Sequence, residues 1–116
     1  MLRQPLLWTM LLLSLWARSQ GLLFDRISMV DGLPSEEVNV LFEDSSGFIW
    51  AGTGDGLARL EGTRVRVFHH DHYDSTSLAH DQVNGIAQDA AGGLWFATMD
   101  GLAQFDAVSG RFTNWR

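Results

Sequence analysis

VNVLFEDSSGFIWAGTGDGLA, residues 38–58, returns 45 residues later as VNGIAQDAAGGLWFATMDGLA, residues 83–103. When the two segments are aligned without a gap, ten of the twenty-one positions are identical, namely Val, Asn, Asp, Gly, Trp, Thr, Asp, Gly, Leu and Ala. Most other positions keep an apolar or small residue. A period of this length is typical of repeat proteins, in which each copy is one supersecondary unit.

Each repeat contains four short, largely apolar segments separated by turn residues, which predicts four antiparallel strands. The predicted strands are residues 38–43, 48–53, 57–61 and 64–68, then residues 83–88, 93–98, 102–106 and 111–115. Four such strands in about 45 residues are typical of one β-propeller blade. The sequence therefore predicts an all-β, partial β-propeller of two four-stranded antiparallel blades: residues 38–82, including a connecting loop, and residues 83–116.

The turn residues recur at matching positions, which favours a structural role for them. Asp44 and Asp89 follow the first strand of each blade, where a carboxylate accepts hydrogen bonds from backbone amides of its own turn. Gly47 and Gly92 are predicted to have the positive φ that a hairpin loop of three to five residues requires. The Asp-Gly pairs that follow the second strand predict the next hairpin.

Trp50 and Trp95 lie in the second strand of each blade and are predicted to be structural. A large indole fills the wedge between neighbouring blades, and we expect its Nε1 to be bonded to a carbonyl group. Thr53 and Thr98 close that strand, and their hydroxyls are predicted to satisfy backbone groups of the following turn.

The first nineteen residues have the layout of a secretory signal peptide. Arg3 gives a positive start, residues 6–16 are an apolar run, and residues 17–19 supply small residues two apart. Cleavage is predicted after Ser19, with a second site after Gly21. The apolar run is shorter than the ~20 residues of a membrane span, although an uncleaved N-terminal anchor is the alternative. The predicted location is periplasmic, and the predicted mature chain has no membrane span.

Composition excludes some classes of function. The formal net charge is −6, and removing residues 1–19 takes away Arg3 and Arg18, so the mature chain carries −8. All eight cationic residues are arginines scattered along the chain, which argues against nucleic-acid binding. The chain has no cysteine, so it has neither a disulfide framework nor a thiolate site.

Residues 20–37 contain a partial copy of the repeat. Phe24 precedes Val38 by 14 residues, and Phe68 precedes Val83 by 15, so Phe24 corresponds to the end of a fourth strand. In a closed propeller a strand of this kind completes the last blade and removes exposed sheet edges. We therefore expect an N-terminal strand that would complete a closing blade.

These repeats resemble the two-component regulator propeller repeat, the blade motif of periplasmic sensor domains in bacterial hybrid histidine kinases and some diguanylate cyclases. Residues 24–38, with DGLP at 31–34, look like the family's opening, and DxxGFIWAGTxxGL at 44–57 looks like its signature. The second copy departs at Gly93, where a bulky residue is usual, and at Ala97, where glycine is usual. The resemblance implies a longer protein with closed propeller rings, a membrane span and a cytoplasmic kinase or cyclase.

Propellers close with about four to eight blades, so two blades would leave strand edges and an apolar face in water. We therefore expect this chain to be an N-terminal fragment of a longer sensor. Its expected partners are the remaining blades, supplied by a longer chain or an oligomer, and an extracellular ligand such as an oligosaccharide.

The connection after the first blade contains the only cluster of metal-ligand residue types, with His69, His70 and His72 as weak candidates. The run has no defined ligand spacing, so we predict a polar loop at the propeller rim, with an inter-blade metal or a pH-sensitive contact as the alternatives. The paired acids Glu36 and Glu37 form no recognisable catalytic set. We therefore predict no catalytic residue and no cofactor.

Three functions remain open from the sequence. The leading one is a non-catalytic part of a periplasmic sensor of a two-component signalling protein, a role that the resemblance implies. The second is part of a streptogramin-lyase-like propeller enzyme, because residues 92–96 are also similar to blades of that class. The third is an exported interaction module that completes its ring by oligomerising.

Overall fold

The computed structural model describes residues 32–116, which form two four-stranded antiparallel sheets, called blade 1 and blade 2. Blade 1 contains β1 (Val38–Glu43), β2 (Ile49–Thr53), β3 (Gly56–Glu61) and β4 (Arg64–Phe68). Blade 2 contains β5 (Val83–Gln88), β6 (Leu94–Thr98), β7 (Gly101–Asp106) and β8 (Arg111–Trp115). Each blade is a meander, so consecutive strands are neighbours. The predicted all-β fold is confirmed, and each predicted strand end lies within one residue of the observed end.

The two blades share one strand register. Leu57 pairs with Phe68 across β3 and β4, and Leu102 pairs with Trp115 across β7 and β8. The first pairing spans 11 residues and the second 13, because the β7–β8 turn is two residues longer than the β3–β4 turn. The added length therefore changes only the outermost hairpin and leaves the inner three strands in register.

The blades approach each other most closely at their first strands, β1 and β5, and β2 also lies against β5. The outer strands diverge, so the space between the sheets widens into a wedge. Large side chains are needed to fill that space, which explains why the buried core between the blades is rich in aromatic residues.

The remaining predictions for the N-terminal part concern residues 1–31, which lie outside the described residues. These are the signal peptide, its cleavage site and the strand around Phe24. Residues 32–37 are described and contain no strand; the Glu37 carbonyl accepts a hydrogen bond from the Gly54 amide at 3.2 Å. Within the described part of the chain, no helix is long and apolar enough to cross a membrane.

Candidate functional site

A carboxylate tethers the tryptophan of each blade. In blade 1, Asp44 Oδ1 accepts hydrogen bonds from the amides of Ser46 (2.9 Å) and Phe48 (3.0 Å), and Asp44 Oδ2 accepts one from Trp50 Nε1 at 2.8 Å. The predicted turn role of Asp44 is confirmed. The prediction of a carbonyl partner for the indole is wrong, because Nε1 donates instead to the carboxylate of the turn aspartate, six residues upstream.

Blade 2 repeats this arrangement at Asp89. Its carboxylate accepts hydrogen bonds from the amides of Ala91 (3.0 Å) and Gly93 (2.7 Å) and from Trp95 Nε1 (2.9 Å). The bond from Trp95, followed by the backbone bond from Gly93, holds the pKa of Asp89 below its usual range. Gly47 and Gly92 both have φ of 91°, which confirms the predicted turn conformation.

The threonine at the end of the second strand closes the next turn in both blades. Thr53 Oγ1 donates to the Gly56 carbonyl at 2.8 Å and accepts from the Asp55 amide at 3.1 Å. Thr98 Oγ1 donates to the Gly101 carbonyl at 2.8 Å in the same way. The predicted role of these hydroxyls is confirmed.

Trp50 lies at the centre of the core between the blades and is fully buried. Its ring centroid lies 5.8 Å from that of Phe68 in its own blade, and 5.1 Å and 5.3 Å from those of Phe96 and Phe105 in blade 2. Phe112 joins the cluster from the outer strand β8. The predicted wedge-filling role is therefore confirmed for Trp50.

A cation at the edge of this core was not predicted. The Arg59 guanidinium lies 4.9 Å from the Phe48 ring centroid, 5.2 Å from that of Trp50 and 5.8 Å from that of Phe105. Glu61 Oε1 accepts a hydrogen bond from Arg59 Nε at 2.6 Å. Arg59 therefore packs across both blades while its charge remains paired, a role that scattered arginines in a sequence do not indicate.

The inner strands are joined by an asparagine that both repeats contain. Asn39 Nδ2 donates to the Val83 carbonyl at 3.1 Å and lies 3.4 Å from Asn84 Oδ1. Farther along the same strands, the Ser45 amide donates to Gln88 Oε1 at 2.9 Å. The identity of Asn39 and Asn84 in the alignment was the available signal for this contact.

The three candidate histidines have different neighbours. His69 Nδ1 lies 3.7 Å from Asp81 Oδ1, His70 Nδ1 lies 2.7 Å from the Leu78 carbonyl, and the His72 ring packs edge-on against Tyr73. Within residues 32–116, no group of three or more histidine, aspartate or glutamate side chains is arranged to hold a metal ion.

The connection between the blades is only partly polar. It contributes Leu78 and Ala79, which are 0% and 1% exposed, to the core between the blades. Tyr73, in the same connection, is 95% exposed. The loop predicted to be polar thus also supplies two apolar side chains to the core between the blades.

A polar hollow of about 460 Å³ lies beside this connection and is lined by His70, Asp71, His72, Tyr73, Asp74, Ser75, Asp100 and Arg116. Arg116 Nε donates to Asp100 Oδ2 at 2.7 Å, so the one cation of the lining is already paired. Side-chain and then backbone hydrogen bonds from Thr76 hold the pKa of Asp74 below its usual range. The hollow therefore offers carboxylates, imidazoles and one exposed phenol to a polar ligand.

Two wedge-packed meander sheets, each with one tethered tryptophan, define a β-propeller protein. The family model for the two component regulator propeller matches residues 32–55 and 77–100, one segment at the start of each blade. Each blade thus matches the model of this family over one segment, and the resemblance noted from the sequence is confirmed.

Solved extracellular domains have the same architecture. The extracellular domain of a hybrid two component system from B. thetaiotaomicron matches with a TM-score of 0.69 and 27% identity, over 77% of this chain and 13% of that chain. The extracellular domain of a one component system from the same organism matches with a TM-score of 0.63 and 28% identity, over the same shares of the two chains.

A curated relative agrees with these structures. Histidine kinase P4 of Formosa agariphila is 31% identical over 74 residues, which are 64% of this chain and 5% of that protein. The chain therefore spans a small part of each relative.

Proposed function

We propose that these two blades belong to the ligand-sensing extracellular propeller of a bacterial two-component signalling protein, and that they are themselves non-catalytic. The observation that carries the proposal is the aromatic core between two repeats that match extracellular domains of signalling systems. We infer that ligand binding is transmitted through the packing of the blades, because a core of this kind gives neighbouring blades a fixed relative position.

The hydrogen bonding of the repeated residues supports a scaffold rather than a catalytic role. Asp44 and Asp89 accept bonds from their turns and tryptophans, and Thr53 and Thr98 are engaged with backbone groups. A catalytic acid, base or nucleophile needs polar atoms free to meet a substrate. The polar hollow beside the connection is the better candidate for ligand contact, with an oligosaccharide as the proposed ligand.

The remaining blades of the ring are the proposed partners, and the proposed location is the periplasm, reached through a cleavable leader. Fusing residues 1–31 to alkaline phosphatase, which is active only after export, tests the location. We expect phosphatase activity from the fusion and none after Leu12→Arg/Leu13→Arg, which interrupts the apolar run. Equal activity from both fusions contradicts export by this leader.

Sensing is tested in the source bacterium, with substitutions introduced into the gene that encodes these blades. Cells are grown on defined oligosaccharides while transcription from the responding genes is measured. We expect a response that Tyr73→Ala abolishes at unchanged protein level, because Tyr73 lines the polar hollow and is 95% exposed, so the substitution removes a proposed ligand contact without emptying the core. An unchanged response, or turnover of the oligosaccharide by the purified chain, contradicts the proposal.

An exported interaction module that closes its ring by oligomerising is the second candidate. One observation favours it, namely the apolar outer face of blade 2, where Leu102 and Trp115 are 46% and 48% exposed. Sedimentation distinguishes the two candidates, since this one requires a closed oligomer of the purified chain and a strict monomer rules it out.

A further inference from the structure

The polar hollow is built from residues that belong to the connection rather than to the repeated scaffold. The segments that match the family model are residues 32–55 and 77–100, and six of the eight lining residues, 70–75, lie between these segments. The aspartates, tryptophans and threonines of the blades, by contrast, recur at matching positions and bond to their own turns. The hollow can therefore differ in ligand preference while the blade stays the same.

The course of the connection leaves the hollow open. The connection lies along the outer strand of the blade that it precedes, where the Phe112 amide donates to the Thr76 carbonyl at 2.8 Å. The start of the described chain lies along β4 in the same way, since a Cβ on Gly32 would lie 3.8 Å from Val65 Cβ. A connection after Arg116 would by this rule lie along a following blade, away from the hollow.

Two carboxylates of the lining are held in place by their own turns. Asp71 Oδ1 accepts a hydrogen bond from the Tyr73 amide at 3.0 Å, and Asp74 Oδ1 accepts from the Thr76 amide and hydroxyl at 2.9 Å and 2.6 Å. The bonds from Thr76 lower the pKa of Asp74, so this carboxylate is ionised at neutral pH. Among the contacts of residues 32–116, Oδ2 of each aspartate accepts no hydrogen bond, so both oxygens are available to a ligand.

His70 adds a third acceptor to the lining. Its Nδ1 lies 2.7 Å from the Leu78 carbonyl oxygen, which can only accept a hydrogen bond. The proton of the neutral ring is therefore on Nδ1, and Nε2 carries a lone pair. The His70 amide donates to Asp81 Oδ1 at 2.6 Å, which fixes the backbone of this residue.

The cation of the lining is already engaged. Arg116 Nε donates to Asp100 Oδ2 at 2.7 Å, and Arg116 Nη2 donates to the Ala79 carbonyl at 3.0 Å. Arg111 lies outside the lining and contributes less than the Thr76 hydrogen bonds to the lowered pKa of Asp74. The described residues that line the hollow thus carry three carboxylates against one paired guanidinium, and they offer a ligand lone pairs rather than positive charge.

We propose that the polar hollow binds an oligosaccharide that carries hydroxyl and amino groups and no negative charge, and that it rejects acidic sugars. The inference rests on the proposed function for the general class of ligand and adds the charge of that ligand. Hydroxyl and ammonium groups supply the donors that Asp71, Asp74 and His70 can accept, whereas a uronate would place like charges together. The exposed Tyr73 ring favours the same class, because its face attracts an ammonium group.

The experiment titrates the purified chain, by calorimetry, with three oligosaccharides that share one β-1,4-linked backbone. Chitosan oligomers carry amino groups, cello-oligosaccharides are neutral, and cellouronic oligomers carry carboxylates. We expect affinity to fall in that order, with the acidic probe about tenfold weaker than the neutral one at low salt. The difference should shrink in concentrated salt, because salt screens the repulsion between exposed charges.

The variant Asp71→Asn/Asp74→Asn tests whether the lining causes this preference. Asparagine keeps a side-chain oxygen for the turn amides and removes the charge. We expect the difference between the amino and acidic probes to narrow about tenfold. The matched control is Glu43→Gln/Asp55→Asn, which changes the net charge equally at two exposed acids outside the lining and should leave the order and spacing of affinities unchanged.

An acidic probe that binds the parent chain as tightly as the neutral probe overturns the inference, as does equal narrowing in the control variant or a lack of binding by all three probes. The proposed function fails separately. If the transcriptional response is unchanged in Tyr73→Ala cells while the purified chain keeps the expected order of affinities, sensing is refuted and the ligand preference of the hollow stands.

Discussion

The turns of blade 1 and blade 2 have the same hydrogen bonds, but the two blades differ in which of their residues are buried. Their tethered tryptophans, turn glycines and strand registers match position by position. Strand β2 is nevertheless buried along its whole length, whereas β6 alternates between buried and more exposed residues. Local sequence thus determines the strands and turns of each blade, and contact with a neighbouring blade determines which of its faces is buried.

The largest expected difference between the blades is at their tryptophans. Trp50→Ala empties the centre of the core and leaves Asp44 without its indole donor, which costs about 3–5 kcal/mol of unfolding free energy. Trp95→Ala removes a partly buried ring at the surface and costs about 1–2 kcal/mol. Urea unfolding of the chain, followed by circular dichroism, measures both losses. Equal losses would show that the two faces are equally buried in solution.

For glycine substitutions we expect the larger loss of stability in blade 2, whereas for the tryptophans it is in blade 1. Gly101 has φ of 105°, and a Cβ there would overlap the backbone carbonyl oxygen of Trp115. Gly56 has φ of 135°, and its nearest contacts would be 3.1 Å away. Each Gly→Ala change costs about 1–3 kcal/mol through backbone strain, with the greater loss at Gly101.

The control for the glycine comparison is the pair Gly47→Ala and Gly92→Ala. Both positions have φ of 91° and open space around the added methyl group. These two losses should agree with each other in the same urea experiment. A larger loss at Gly56 than at Gly101 would mean that the β8 backbone yields to the added methyl group.

A smaller difference is expected at the two threonines. Thr53→Val leaves the buried Gly56 carbonyl and the partly buried Asp55 amide without their hydroxyl partner, which costs about 1–3 kcal/mol. Thr98 is only partly buried, so water replaces its hydroxyl and the loss is about 0.5–1.5 kcal/mol. Thermal unfolding of both variants beside the parent chain measures the difference, and Thr→Ser at each site, which keeps the hydroxyl, should restore most of it.

The smallest effect is a pH dependence at Asp89. Its pKa is lowered in the folded chain, so its stabilisation is fully present above the unfolded value of about 3.9 and is lost as pH falls through the lower folded value. Asp89→Asn should therefore destabilise the chain at pH 6, and the difference from the parent chain should shrink toward pH 2. A difference in stability that does not depend on pH would mean that the asparagine amide destabilises the turn through its hydrogen-bonding geometry rather than through the loss of the carboxylate charge.

Strands and turns could be predicted from the sequence because their determinants are local. Apolar runs of five or six residues end at Asp, Gly or Ser, and the same pattern occurs twice, so each repeat checks the other. The indole partner was missed although Asp44 and Trp50, like Asp89 and Trp95, are both six residues apart. That constant spacing is a usable signal, since the hairpin turn brings the two residues side by side.

Contacts between the blades were harder to predict because they depend on how two sheets are placed in space. The counterpart of Arg59 in blade 2 is a glutamine. Because the two repeats differ at this position, their alignment does not indicate that Arg59 lies over the aromatic core. Leu78 and Ala79 lie within a stretch of polar residues and show no periodicity that indicates burial. The polar hollow likewise joins residues from the connection, a turn of blade 2 and Arg116, and their separation in sequence hides their proximity.

The longer β7–β8 turn bears on how such rings evolve. When an ancestral gene segment encoding one blade is duplicated, both descendants begin with identical lengths and then diverge. In this pair the length difference lies only at the periphery, while the strands nearest the neighbouring blade keep their spacing. Two added residues in the outer hairpin are thus accommodated without any change in the strands through which the two blades meet.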